Sequence, residues 1–218
     1  MLEIFPSSSA LAEAASHGVE ACLADGLKTR GRASLVATGG RMPGPVYDRL
    51  REARIDWARV VVTLSDERCV EPDAPESNAR LLRERLFVGE AAKAHFLPLT
   101  DYAEPALKAL APFDAVLLGM GEDGHVASLI PGSPVLAQGM DPAGERMLLD
   151  VPAGAGSPPL ARTSLTLAAL LQARAIFLLI SGEAKREVLA RAEDGADLPV
   201  RAILAQARVP VRILWAPQ

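Results

Sequence analysis

The chain has 218 residues, half of them apolar and 23% charged, with a net charge of −4. That length supports one good hydrophobic core, and that charge excludes a nucleic-acid binder held by a broad basic face. Two cysteines without close spacing, Cys22 and Cys69, make neither a disulfide framework nor a zinc site.

The start, Met1-Leu2-Glu3-Ile4-Phe5-Pro6, lacks a basic stretch and a long apolar one, so no signal peptide is read there. Ser7–Leu27 carries apolar residues at helical spacing, with serines available as N-caps. Ser34–Ala37 and Val60–Leu64 read as buried strands, each followed by a helical pattern, Tyr47–Arg54 and Asn78–Phe87. Glu104–Leu110 reads as a helix and Ala115–Leu118 as a strand, with a further helix expected after the glycine-rich turn that follows. Ser133–Pro159 is crowded with Gly and Pro around a short candidate strand, Met147–Val151. It reads equally as a functional loop or a solvated excursion. Ile176–Ile180 and Val211–Trp215 are strands, and Glu183–Ala192 and Val200–Ala207 helices. The most apolar region, Leu165–Ile180, is interrupted by Gln172 and Arg174 and does not read as a membrane span.

This alternation predicts one α/β domain over residues 1–218, Rossmann-like, with a mostly parallel sheet and helices on both faces. A cytoplasmic monomer is expected, with no membrane or nucleic-acid partner.

Chemistry is concentrated in four places. Gly119-Met120-Gly121-Glu122-Asp123-Gly124-His125 follows a buried strand, where open α/β sheets place their ligand crevice. It matches G-x-G-x-x-G, but Glu122 and Asp123 would put carboxylates inside a pyrophosphate cradle, so the dinucleotide reading is rejected. Asp123 and His125 instead suit an orienting group and a base. A Ser-His-Asp triad with Ser128 is set aside because no G-x-S-x-G elbow is present.

Thr38-Gly39-Gly40-Arg41 follows the first strong strand and reads either as a plain turn or as backbone amides converging on an anion, with Thr38 and Arg41 as added donors. Ser65-Asp66-Glu67-Arg68 ends the second strong strand, as a solvated rim or as polar catalytic groups. Arg162 follows the Pro-rich loop, and Lys185, one of four lysines, opens a helix; both read as surface charges or as anion partners.

Taken together and in this order, these segments resemble the 6-phosphogluconolactonase family, part of a group shared with glucosamine-6-phosphate isomerase/deaminase. The matching residues are Thr38-Gly39-Gly40 with Pro43, Asp66-Glu67-Arg68 with Ser77-Asn78, Asp123-Gly124-His125 with Ala127-Ser128-Leu129 and Pro131-Gly132, Arg162-x-Ser164-Leu165-Thr166, and Ser181-Gly182-x-x-Lys185. The resemblance implies hydrolysis of 6-phospho-D-glucono-1,5-lactone to 6-phospho-D-gluconate, serving the pentose-phosphate or Entner–Doudoroff pathway. It implies His125 as general base on water and Asp123 as its orienting partner. Asp66 and Arg68 would line the sugar end, Arg68 as a candidate oxyanion donor. Thr38, Gly39, Gly40, Arg41, Arg162 and Lys185 would hold the phosphate. No metal and no organic cofactor is implied. The chain departs from the family pattern at Arg41, Cys69 and Glu71, and at Ile130, where the isomerase/deaminase branch carries a catalytic glutamate. Three rival readings are an amino-sugar-phosphate isomerase or deaminase, a non-catalytic sugar-phosphate sensor, and a nucleotide-dependent dehydrogenase.

Overall fold

The computed structural model describes residues 2–217. Strand β1 (Leu2–Ile4) leads to helix α1 (Ser8–Arg30), whose N-cap Ser7 accepts a hydrogen bond from the Ala10 amide. Helix α1 buries Leu11, Ala15, Val19 and Leu23, spaced four apart on one face. Then come β2 (Ala33–Ala37), α2 (Pro43–Leu50), β3 (Val60–Leu64), β4 (Asp66–Arg68), α3 (Asn78–Arg85), β5 (His95–Phe96), α4 (Glu104–Leu110) and β6 (Ala115–Gly119). The remainder is α5 (Leu136–Gly139), β7 (Leu148–Val151), β8 (Arg162–Leu165), α6 (Leu167–Leu170), β9 (Ile176–Ser181), α7 (Glu183–Glu193), α8 (Pro199–Ala205) and β10 (Val211–Ala216).

Seven strands pair in the order β1-β10-β9-β6-β2-β3-β5, all parallel. Right-handed crossovers place α1, α2 and α3 on one face and α4, α7 and α8 on the other. Packing of α1 on α2, α2 on α3 and α7 on α8 agrees with that division. The core is mostly Leu, Val and Ala, with Trp57, Tyr47, Phe113 and Phe177 as its largest buried members. The expected single-domain α/β fold is therefore the one formed. No helix among the described residues is long and apolar enough to cross a membrane.

Adjacent strands β2 and β6 lead away in opposite directions, β2 to β3 and β6 toward β9. Their carboxyl ends form the switch point of the sheet, and the turns Thr38–Arg41 and Gly119–His125 open there.

Several features differ from the expectation. No helix follows the glycine-rich turn, because Gly124 (φ 79°), Ala127 (φ 50°) and Gly132 (φ 79°) hold left-handed conformations that a right-handed helix does not contain. Asp66–Arg68 and Arg162–Leu165 are strands, joined with β7 in a three-stranded antiparallel sheet in the order β4-β8-β7. Helix α2 starts four residues before the expected Tyr47, since Pro43 and Pro45 sit in the first turn, where a missing amide costs nothing. The Gly- and Pro-rich stretch holds the expected short strand, as β7, and also a helical turn, α5, that was not expected.

Candidate active site

A cleft of about 920 Å3 opens at the switch point. Thr38, Gly39, Gly40 and Arg41 line it from the β2 turn, and Asp66 and Arg68 from β4. His125 enters from the β6 turn, Arg162 from β8, and Lys185 from the first turn of α7. Nine of the ten candidate residues, far apart along the chain, thus share one cavity. The tenth, Asp123, lies behind His125.

The imidazole is held by its own turn. His125 Nδ1 lies 2.6 Å from Asp123 Oδ1, and the His125 amide donates to the same oxygen at 3.2 Å. Burial raises the Asp123 carboxyl, but its bonds to His125 outweigh that and leave it below the usual carboxylate range. A Cβ on Gly121 would stand 2.2 Å from His125 Nδ1 and 2.4 Å from Asp123 Oδ1, so the pair fits only over a glycine. With Nδ1–H donated to a carboxylate, the lone pair rests on Nε2.

Arg68 and Arg162 face each other across the β4–β8 ladder. Like charges directly opposite on a sheet are destabilising. Some compensation is present. Arg162 Nη2 donates to the Pro158 carbonyl at 2.9 Å, its Nη1 to Ser128 Oγ at 3.4 Å, and Asp66 Oδ2 lies 4.0 Å from it. Arg68 Nη1 donates to the Glu76 carbonyl at 2.5 Å. The Nε of each arginine nevertheless remains buried without a partner. Burial, then the Arg68 charge, lowers the Arg162 pKa. Two guanidinium N–H donors are thus left unused at this side of the cleft.

A further cation in the lining is Lys185, half-buried, with Glu122, Arg41 and Asp123 as charged neighbours. Burial pushes the Lys185 amine below the usual lysine range. It sits in the first turn of α7, whose leading amides have no intrahelical partner.

The polar floor carries residues whose partners the sequence reading missed. Thr38 does not offer its amide to the cleft: that N–H donates to the Tyr47 hydroxyl at 2.8 Å, which donates back to the Thr38 carbonyl at 2.7 Å. Burial pushes the Tyr47 phenol well up, so it stays protonated. Ser65 Oγ lies 3.2 Å from Thr38 Oγ1 and 3.0 Å from Asp66 Oδ1. Ser128 Oγ donates to Asp66 Oδ2 at 2.6 Å, so Ser128 belongs to the floor and not to a triad with His125. Glu67, between two cleft residues, instead accepts from the Asn78 amide at 2.8 Å and the Ala79 amide at 2.7 Å, which caps α3. Alternation along β4 is the signal that separates these neighbours. Ile130 is buried and lies outside the cleft lining.

A doubly wound sheet with a cationic cleft and a carboxylate-held imidazole at its switch point defines an α/β enzyme for a small anionic substrate. The family model described as glucosamine-6-phosphate isomerases/6-phosphogluconolactonase matches residues 6–215, and the chain belongs to that family. A 6-phosphogluconolactonase of Caulobacter vibrioides is 47% identical over 99% of this chain and 97% of its own. One from Rhizobium meliloti is 42% identical over 99% and 98%. The crystal structure of a 6-phosphogluconolactonase from Shewanella baltica superposes with a TM-score of 0.90 at 35% identity, covering 99% of this chain and 97% of that one. Within the family the chain therefore falls on the 6-phosphogluconolactonase side.

Proposed function

We propose that the cleft hydrolyses 6-phospho-D-glucono-1,5-lactone, with His125 as general base and the cations of the cleft holding the phosphate and the developing charge. The observation that carries this reading is the sharing of one cleft by a carboxylate-oriented imidazole and arginines whose Nε donors have no partner.

The phosphate is held by Lys185, Arg162 and the free amides and side chains of the Thr38–Arg41 turn. It does not change in the reaction, so its binding energy orients the ring. Nε2 of His125 takes a proton from water as the oxygen attacks the lactone carbonyl carbon. Asp123 holds the imidazole in the required tautomer and stabilises the imidazolium. Negative charge gathers on the carbonyl oxygen, where Arg68 donates; one such donor is worth roughly 3 kcal/mol. Asp66 keeps the floor in register through Ser128 and Arg162. Collapse breaks the bond to the ring oxygen, which takes the proton back from His125. Water as nucleophile leaves no task for a serine.

The isomerase/deaminase alternative needs a proton-transferring group where Ile130 stands, and an alkyl side chain moves no proton. Turnover of the lactone above its spontaneous hydrolysis, with no ammonia released from glucosamine-6-phosphate, tests the assignment.

A further inference from the structure

We infer that Trp215 is a positioning residue for the phosphate end of the cleft; this rests on the reading of Lys185 given above. Strand β10 runs beside β9, with Trp215 level with Ile180 and Ala216 level with Ser181. The next residue, Gly182, begins the turn that lines the cleft and delivers Lys185. It is gripped from both sides. Its amide donates to the Ala216 carbonyl at 3.0 Å. Its carbonyl accepts from the Trp215 indole Nε1–H at 3.0 Å and from the Arg186 amide, the first bond of α7, at 3.3 Å.

The indole is itself fixed. Trp215 is 6% exposed, and the Arg186 guanidinium lies over its ring, 4.8 Å from the centroid. Arg186 is the neighbour of Lys185 and approaches Glu183 at 3.7 Å. The ring thus braces α7 from below while its N–H sets the direction of the Gly182 carbonyl. Gly182 has φ 82°, a conformation with no side chain to hold it, so an outside bond decides where the turn points. A buried indole N–H needs a partner, and here that partner is the peptide that aims the leading amides of α7 and Lys185. A phenylalanine would fill most of the same space but could not donate.

The test compares the wild type with Trp215→Phe. Inorganic phosphate is first shown to compete with lactone turnover in the wild type; if it does not, the phosphate reading itself falls. Given competition, the variant is expected to raise both KM and the phosphate inhibition constant about threefold to tenfold, with kcat within about twofold. A purely structural role would lower melting temperature or active fraction and leave KM unmoved, and that result overturns the inference. A second measurement needs no variant. The chain has two tryptophans, and the other, Trp57, is buried just ahead of β3 with its indole on the Ala53 carbonyl. In 15N spectra, phosphate should move the Trp215 indole signal and leave that of Trp57 in place. A still Trp215 signal at saturating, competing phosphate contradicts the proposal.

Discussion

His125 Nδ1 and Asp123 Oδ1 stand 2.6 Å apart across a turn that closes over the bare backbone of Gly121. Two bonds accepted by one carboxylate oxygen, from the ring and from the amide, fix both where the imidazole sits and which nitrogen faces the cleft. The pair is local in sequence, yet it works only because strand β6 delivers the turn to the switch point.

Gly121→Ala should remove most turnover without unfolding the protein. A methyl at that position collides with both members of the pair. The expected loss is about 10²-fold or more, since misplacement by about an ångström carries that order of penalty. Steady-state kinetics beside a thermal melt checks it, and a fully active, folded variant would show that the pair tolerates displacement.

Asp123→Asn should lower kcat and change the pH profile of stability. The carboxyl is depressed in the folded state, so it stabilises the fold above its unfolded pKa. That contribution is lost as pH falls through the folded value. The gap in melting temperature between wild type and variant is therefore expected at neutral pH and should close below about pH 4. Melts across that range measure it.

How much of this was legible in the sequence follows from how far each feature reaches along the chain. The five long strands of the parallel sheet are mostly apolar runs such as Val60–Leu64 and Ile176–Ile180, and these signal burial on both faces. The site turns carry their own short signatures at strand ends. The β4-β8-β7 sheet does not. Its strands have three or four residues, and Asp66-Glu67-Arg68 is entirely charged, so only pairing with a segment about a hundred residues away makes it a strand. Ser128 was visible and its triad set aside, but its place in the floor was not legible, because its partner Asp66 is 62 positions distant. The helix expected after the Gly119–His125 turn does not form, for a local reason: Gly124, Ala127 and Gly132 each turn left-handed.

Ser128→Ala should cost both stability and rate. It removes the bond that ties the His125 turn to Asp66 and leaves buried charge less well satisfied. A hydrogen bond to a charged group is worth about 1.5–3 kcal/mol. Denaturant melts and kcat are the readouts, and an unchanged melt would mean that the floor repacks freely.

Lys185→Ala should mainly raise KM, because the phosphate is the same before and after reaction. The pH dependence follows from burial. The folded amine is depressed, so below that folded value the protonated, desolvated lysine costs stability, and the cost is relieved as the proton leaves. A bound dianion favours the charged form, so phosphate binding should weaken on the alkaline side at a lower pH than an ordinary lysine would give. Calorimetric titration should show proton uptake on binding there, and Lys185→Arg should abolish that limb.

The most direct measurement is hydrolysis of 6-phosphogluconolactone above its spontaneous rate, wild type beside His125→Ala, with a melt of each. The expected result is a loss of roughly 10²–10⁴-fold in kcat with a melting temperature close to that of the wild type. Wild-type turnover in a folded His125→Ala protein would contradict the assignment of the base.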